Sequence, residues 1–421
     1  MKIFKIMNNK TLINGSLFSL YSFLNQGISF VLLIVLAKFI APEEYGQLSL
    51  FNTFVMFLGY FIVFSSDGYL SVSFFKSNKD DFAKDVSSLL LVLGIVSAIL
   101  IIIVAIGKVW LSDLLNLPQH LLYFAVIIST FNVLVHINLN LKRLKENLKT
   151  YGLLSCGFAL LNFILSLLLV IQADLNWRGR VYAQFICVVV FGIIALCAFR
   201  NNSLYTKNIS LSRIRTILLW GIPLIPHLAT TWVRQGCDRY IIDSFYSLAE
   251  VGLFSFALNL TSVIEMVGSS FNATNSVGIY KILSDRTIPN SHKKSLLYKT
   301  SKEMFLIYSI ITILIVVGVV IFVPLLLPNY KNSLPYFMVL SGYGFFKCIY
   351  YIFCNYIFYW AKNKYLMYIT FSSSVLHLIL SLLITKYSLY YTASIYLIIQ
   401  LLIDIILVVY SVKLIKSNLK E

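Results

Sequence analysis

The stretch "FIAPEEYGQLSLF", residues 39–51, breaks an otherwise apolar N-terminal region with a proline, two glutamates and a glycine. A near-copy, "FYSLAEVGLFSFA", stands at residues 245–257. Phe39, Glu44, Gly46 and Ser49 fall on Phe245, Glu250, Gly252 and Ser255, an offset of 206 residues in a chain of 421. The chain therefore reads as two related halves. In each copy the glycine is expected to allow a tight turn, and the acid to cap the helix that follows. The motif itself reads as a repeated structural turn without chemistry of its own.

Composition says what the halves are made of. The chain is 59% hydrophobic and 12% charged, with mean hydropathy +0.84. Soluble domains are about 45–50% apolar and about 25% charged. A water-soluble fold cannot bury this much apolar sequence, so the class is a polytopic membrane protein. A spanning helix needs about 20 apolar residues, because the hydrocarbon core is about 30 Å thick. The ten-residue alternation of a membrane β-barrel is absent. Twelve helical spans are expected, near 13–37, 47–70, 87–107, 120–140, 151–172, 181–199, 216–237, 252–276, 303–327, 336–360, 365–385 and 390–412.

The net charge of +17 would suit nucleic acid, but its placement does not. Of the 34 Lys and Arg, 25 fall in the N-terminal tail and alternate loops, eight on the other side, and one, Lys347, inside a span. That asymmetry is the positive-inside pattern and puts both termini in the cytoplasm. The basic charge sets topology, and no nucleic-acid partner is expected. The first span is too long for a cleavable signal and no small-residue cleavage site follows it. The six cysteines lie scattered in apolar segments without a CxxC, so neither a metal site nor a disulfide framework is expected.

Two copies of the motif, one at the end of span 1 and one at the end of span 7, have an even number of spans between them. Both copies then lie on the same, external, side. This is a parallel repeat about an axis along the membrane normal, a plan that lets two lobes rock about a central site. The lobes are expected at 1–206 and 207–421. External loops are short, at most about 14 residues. Membrane glycosyltransferases and polysaccharide polymerases usually carry a larger external part to hold acceptor sugars. No phosphate-cradling GxxxxGK[ST] is present, so no intrinsic ATPase and no cofactor is expected.

Several spans carry polar residues on one helical face. Span 1 has Gly15, Ser19, Ser22, Gln26 and Ser29; span 7 has His227, Thr231, Arg234 and Asp238. Span 8 has Thr261, Glu265, Gly268, Asn272 and Ser276. Span 4 has Asn132, His136 and Asn140; span 10 has Gly344, Lys347, Tyr351 and Asn355; span 12 has Thr392, Tyr396, Gln400 and Asp404. Stripes in both halves suggest a wet cavity between two lobes. For small Ser/Gly faces the competing reading is close helix packing. A charge at a span centre costs about 2.5–3.5 kcal/mol, so the ionisable residues carry more weight. Arg234 and Asp238 stand one turn apart and are expected to neutralise each other in part. Lys347 has no acid within a turn on its own helix, so its partner must be another helix, solvent or a ligand. Arg234, Arg239 and Lys347 suit an anionic substrate, arginine especially a phosphate. Glu265, Asp238 and Asp404 are candidate cavity acids or ion carriers, with Gln26, His227, Thr231 and Asn272 as polar lining. His136, His227 and His377 are most simply structural.

The stretch "GIPLIPHLATTWVRQGCDRYIIDSFYSLAEVGLFSFA", 221–257, resembles the seventh helix of the polysaccharide-export flippases of the MOP (multidrug, oligosaccharidyl-lipid, polysaccharide) superfamily. Pro223, Pro226, Trp232, Asp238–Arg239 and Glu250–Val251–Gly252 carry the likeness. "AKFIAPEEYGQL", 37–48, resembles that family's N-terminal motif through Ala37, Pro42, Glu43, Tyr45 and Gly46, with Lys38 where arginine is common. "SDGYLSVSFFK", 66–76, resembles the end of its second helix through Asp67 and Gly68. The resemblance implies an all-α fold of about twelve transmembrane helices in two six-helix lobes around a central cavity. It implies a transporter rather than an enzyme, in the bacterial cytoplasmic (inner) membrane, acting as a monomer. The implied substrate is an undecaprenyl-diphosphate-linked oligosaccharide of O-antigen or capsule synthesis, flipped to the external leaflet by alternating access, beside a polysaccharide polymerase and other glycan-assembly proteins. Proton or sodium coupling is implied too, with Asp67, Glu265 or Asp404 as carriers. Rival readings are a multidrug or small-molecule exporter on the same fold, a membrane polymerase or glycosyltransferase, and a non-transporting scaffold of a glycan-assembly complex.

Overall fold

The computed structural model describes residues 9–63, 66–222 and 225–419, and every regular element among them is helical. The helices are α1 (Asn9–Phe39), α2 (Pro42–Val63), α3 (Ser66–Lys76), α4 (Lys79–Leu115), α5 (Gln119–Leu144), α6 (Leu148–Leu167), α7 (Asn176–Asn201), α8 (Leu211–Gly221), α9 (Ile225–Gln235) and α10 (Cys237–Asp243). They continue as α11 (Leu248–Ser284), α12 (Asn290–Leu326), α13 (Leu334–Tyr359), α14 (Asn363–Ile384) and α15 (Leu389–Asn418). A π-helical turn, Leu168–Gln172, extends α6, and a 3₁₀ segment, Pro328–Ser333, leads into α13.

Among the described residues, ten helical stretches are long and apolar enough to cross a membrane. Of the twelve expected spans, the other two are α1 and the seventh. The most apolar window of α12 is only 11% buried and that of α4 28%. Ile106, Ile310, Leu314 and Leu325 all point outward. Such inverted burial is favourable only where the surroundings are hydrocarbon. The helix ends are marked by local chemistry. Asn78 caps α4 by accepting from the Asp81 amide at 2.8 Å, and Asn116 closes it with φ 50°. Ser388 caps α15 by accepting from the Tyr390 amide at 3.2 Å.

Over the expected single helix 216–237 the described residues form α8, α9 and α10. α9 and α10 part at Gly236, with φ −123° and ψ −44°. One consequence falls on Arg234 and Asp238. They form no ion pair with each other among the described residues, because the break at Gly236 removes the helical register that would stack them.

The chain forms two compact units, Met1–Ile40 with Gln47–Trp232, and Ala41–Gly46 with Val233–Glu421. In the first, α5 packs on α4 and α7, and α6 on α1 and α7. Leu89, Leu93, Val133, Ile137 and Phe199 form part of its core. The short α8 is fastened to α4 by Arg213, whose guanidinium lies 2.7 Å from Asp81 and 2.6 Å from Asp85. Trp232 anchors the end of this unit, donating to the Thr53 carbonyl at 3.2 Å and packing on Phe57.

In the second unit α13 is central, packed against α11, α12 and α15, while α14 lies on α15 and α10. The repeated motif explains itself here. A Cβ at Gly46 would overlap the Leu248 carbonyl, and one at Gly252 would overlap the Pro42 carbonyl. Adding the 206-residue offset to Pro42 gives position 248, so the two contacts are the same contact seen from either copy. No glycine among the described residues has positive φ. The expected tight turn is therefore not what these glycines provide: each sits inside a helix, and its missing side chain lets two backbones meet. The expected acid cap is present in divided form. Glu44 accepts from the Ala41 amide at 3.4 Å, while in the second copy Ser247 accepts from the Glu250 amide at 3.4 Å. Each makes one half of a capping box. Glu250 itself accepts from the Tyr336 hydroxyl at 2.9 Å.

Candidate functional site

Close packing of α11 on α13 builds the site. A Cβ at Gly344 would stand 2.9 Å from Thr261, and one at Gly268 would overlap the Cys348 sulfur. Two glycines, one on each helix, thus let the polar stripe of α11 meet the polar stripe of α13. Along that seam Glu265 lies 4.0 Å from the Lys347 ammonium. Two turns on, Asn355 donates to the Asn272 carbonyl oxygen at 2.8 Å. The partner that Lys347 lacks on its own helix is therefore Glu265 of the neighbouring one. Lys347 also reaches its own-helix Tyr343, 3.5 Å from the hydroxyl and 5.6 Å from the ring centroid.

Arg234 and Asp404 complete the electrostatic neighbourhood of Lys347. Asp404 is buried; one carboxylate oxygen accepts from Gln400 at 3.0 Å and the other has no hydrogen-bond partner. The buried Nε of Arg234 likewise has none. Two cations and two acids thus share the interior of the unit, and their formal charges balance when all are ionised. The Lys347 and Glu265 side chains are 14% and 20% exposed. At an effective dielectric near 20 their attraction is about 4 kcal/mol. Desolvating each ion costs several kcal/mol, so the pair is close to break-even, while removing one partner leaves the other uncompensated.

A second cluster adjoins the first. Asp238 on α10 lies 2.7 Å from His377 Nε2 on α14, both essentially inaccessible. Ser381 and Tyr396 direct hydroxyls towards the same carboxylate without closing a hydrogen bond of normal geometry. The Tyr396 ring lies edge-on to His377, centroids 4.8 Å apart, and 5.3 Å from the ring of Tyr343. A chain of contacts therefore runs from Asp238 through His377, Tyr396 and Tyr343 to Lys347 and Glu265. Arg239 does not join it by an ion pair among the described residues. Its Nε donates to Ser255 at 3.2 Å and its Nη1 to the Gln235 carbonyl.

The remaining candidates are placed elsewhere. Gln26 lies on an exposed face of α1 and Thr231 is half-buried on α9, both in the first unit. The side chains of Asp67 and His227 lie outside the described residues. His377, read from the sequence as structural, is the partner of Asp238. A lone histidine in an apolar span gives no signal of its own, and its partner is 139 positions away. Among the described residues no group of three or more His, Cys, Asp or Glu could hold a metal ion, and the six cysteines are free.

The fold is that of the MOP-superfamily transporters. The chain is similar to an inward-facing MATE-family multidrug resistance transporter, with TM-score 0.73 at 11% identity over 93% of this chain and 95% of that one. It is similar to the lipid II flippase MurJ in an inward closed conformation, with TM-score 0.70 at 16% identity over 94% and 87%. A MOP-superfamily transporter from Pyrococcus furiosus aligns with TM-score 0.56 at 12% identity over 97% of each chain. Residues 12–277 match the polysaccharide biosynthesis protein family, and the chain belongs to that family. The Lsg locus putative protein 1 of Haemophilus influenzae is 21% identical over 356 residues, 83% of this chain and 85% of the relative. An uncharacterized membrane protein of the same organism is 23% identical over 362 residues, 83% and 84% of the two chains. The protein is thus an all-α multi-pass membrane protein of polysaccharide biosynthesis, with the fold of transporters and flippases.

Proposed function

We propose that the protein moves an undecaprenyl-diphosphate-linked oligosaccharide from the cytoplasmic to the external leaflet of the bacterial cytoplasmic membrane. Membership of a polysaccharide biosynthesis family, in a chain that is almost wholly membrane helix, is the observation that carries this reading. A sugar head cannot cross hydrocarbon unaided, because its hydroxyls would lose their water. The step needs a path and a change of access rather than bond chemistry. Arg234 and Lys347 are the cations that would meet the diphosphate, with Arg239 on α10 as a third. Lys347 is held by Glu265 at rest, so an anionic head would engage it by exchanging partners with that carboxylate. Asp238, Glu265 and Asp404 are the acids through which an ion gradient would act. Both termini are cytoplasmic in this reading, the chain acts as a monomer, and a polysaccharide polymerase takes the product, whether O-antigen or capsule.

A second reading, a small-molecule exporter, draws on the same cluster. Glu265 and Asp404 match the cations Arg234 and Lys347 in number, which an organic cation could exploit.

The test uses vesicles with purified protein and a lipid-diphosphate oligosaccharide labelled in its sugar. Exposure of the label on the opposite leaflet is timed for wild type, Arg234→Ala and Lys347→Ala. Protein-dependent movement lost in both folded variants supports the reading. Movement unaffected by either change removes these two residues from it. No movement under proton or sodium gradients leaves the exporter reading.

A further inference from the structure

Helices α12, α13 and α15 leave a groove of about 540 Å³ on the second unit. Its wall is apolar, formed by Leu297, Phe305, Ile352, Phe353, Val408 and Val412. Three lysines, Lys294, Lys302 and Lys416, line it, and no acid does. The acid on the same stretch, Glu303, is engaged by Lys299 at 4.0 Å, away from the groove. None of the three groove lysines has a carboxylate within ion-pair distance among the described residues. A hydroxyl pair, Ser301 and Tyr356 at 3.2 Å, interrupts the apolar wall.

The groove has the depth of one leaflet. Along α12 it runs from Lys294 to Phe305, about 17 Å at the rise of a helix, and along α15 from Val408 to Lys416, about 12 Å. Half of a hydrocarbon core is about 15 Å. Its lysine end lies where α12 starts, in the polar run "NSHKKSLLYKTSKE", and where α15 stops at Asn418. That end belongs at headgroup depth and the apolar end in hydrocarbon. Lys302, two turns further in, can reach back towards the headgroups along its own stem.

We propose that this groove binds one anionic glycerophospholipid. Its phosphate lies among Lys294, Lys302 and Lys416, and an acyl chain runs along the apolar wall. A zwitterionic headgroup would bring its own ammonium against three uncompensated lysines. A free phosphate would leave the apolar wall without a partner. The site stands on the second unit alone and is independent of what the protein transports.

The experiment follows the unfolding midpoint of detergent-purified protein titrated with dioleoyl phosphatidylglycerol or dioleoyl phosphatidylcholine. The wild type is expected to bind the anionic lipid at least about ten-fold more tightly, each lysine contributing about five-fold. The triple variant K294Q/K302Q/K416Q is expected to lose the preference while keeping its lipid-free midpoint within a few degrees. Val412→Trp, which fills the groove, is expected to abolish stabilisation by the anionic lipid. A control triple variant, K142Q/K145Q/K149Q, in the first unit, should keep the preference. Equal stabilisation by both lipids, a preference that survives the groove variant, or one lost equally in the control would overturn the proposal.

Discussion

Gly46 and Gly252 offer the sharpest test of the contact between the two copies of the repeated motif. Each faces a backbone carbonyl of the other copy, Leu248 and Pro42 respectively, at a separation that leaves no room for a methyl group. Two effects oppose each other in Gly→Ala. Alanine is the better helix former by about 1 kcal/mol at a helix interior. Overpacking a tight contact costs about 1–3 kcal/mol, and here the obstruction is a main-chain oxygen that cannot rotate aside. Overpacking wins, and each single variant should lose about 1–2 kcal/mol. In a domain of this size that corresponds to a fall of roughly 2–8 °C in the unfolding midpoint. Gly278→Ala, on the same α11 but with open space around its Cβ, should be neutral or stabilising. The double variant should cost less than the sum of the singles, because separating the helices for one methyl makes room for the second. The assay is thermal unfolding of the purified protein in detergent, followed by intrinsic fluorescence. A midpoint unchanged or raised in Gly46→Ala or Gly252→Ala would refute the reasoning, as would full additivity in the pair.

Glu265→Gln should lower the unfolding midpoint by removing the partner of Lys347, at a cost of about 3–5 kcal/mol. Adding Lys347→Met should recover most of that loss, and a double-mutant cycle checks it. His377→Leu leaves the buried Asp238 carboxylate without its 2.7 Å contact and should destabilise strongly. His377→Gln, which keeps a donor, should be milder, and equal midpoints for the two would count against the pair. Arg213→Ala frees α8 from Asp81 and Asp85, so limited proteolysis should cut faster between 203 and 210 than in wild type.

What the sequence made legible, and what it hid, divides along physical lines. Spans are readable because a bilayer demands long apolar runs, a property of consecutive residues. The repeat is readable because two copies of one motif serve one symmetric contact, and the contact keeps Gly46 and Gly252 at equal positions. Its purpose was not readable. A glycine beside a proline and an acid suggests a turn equally well, and only the partner carbonyl shows that the missing side chain is what matters. The break at Gly236, which separates Arg234 from Asp238, was not readable, because a single glycine within a helical pattern is tolerated. An i, i+4 spacing predicts neighbours only where the helix is continuous.

The charged residues show the same division more severely. A lone Lys347 at mid-span announces that it needs a partner, since an uncompensated charge there is costly. Which partner depends on the approach of α11 to α13, and that approach rests on Gly344 and Gly268. Those glycines lie in the same stripes as Glu265, Lys347, Asn272 and Asn355. A stripe of small and polar residues therefore carries two messages at once: the small members bring two helices together and the polar members find each other across the seam. Reading the stripe as the wall of a water-filled cavity weighs only the polar half. In the second unit the two stripes on α11 and α13 spend part of their polarity on one another. The groups left over, the unpartnered oxygen of Asp404 and the Nε of Arg234, are where a ligand, an ion or water has most to gain.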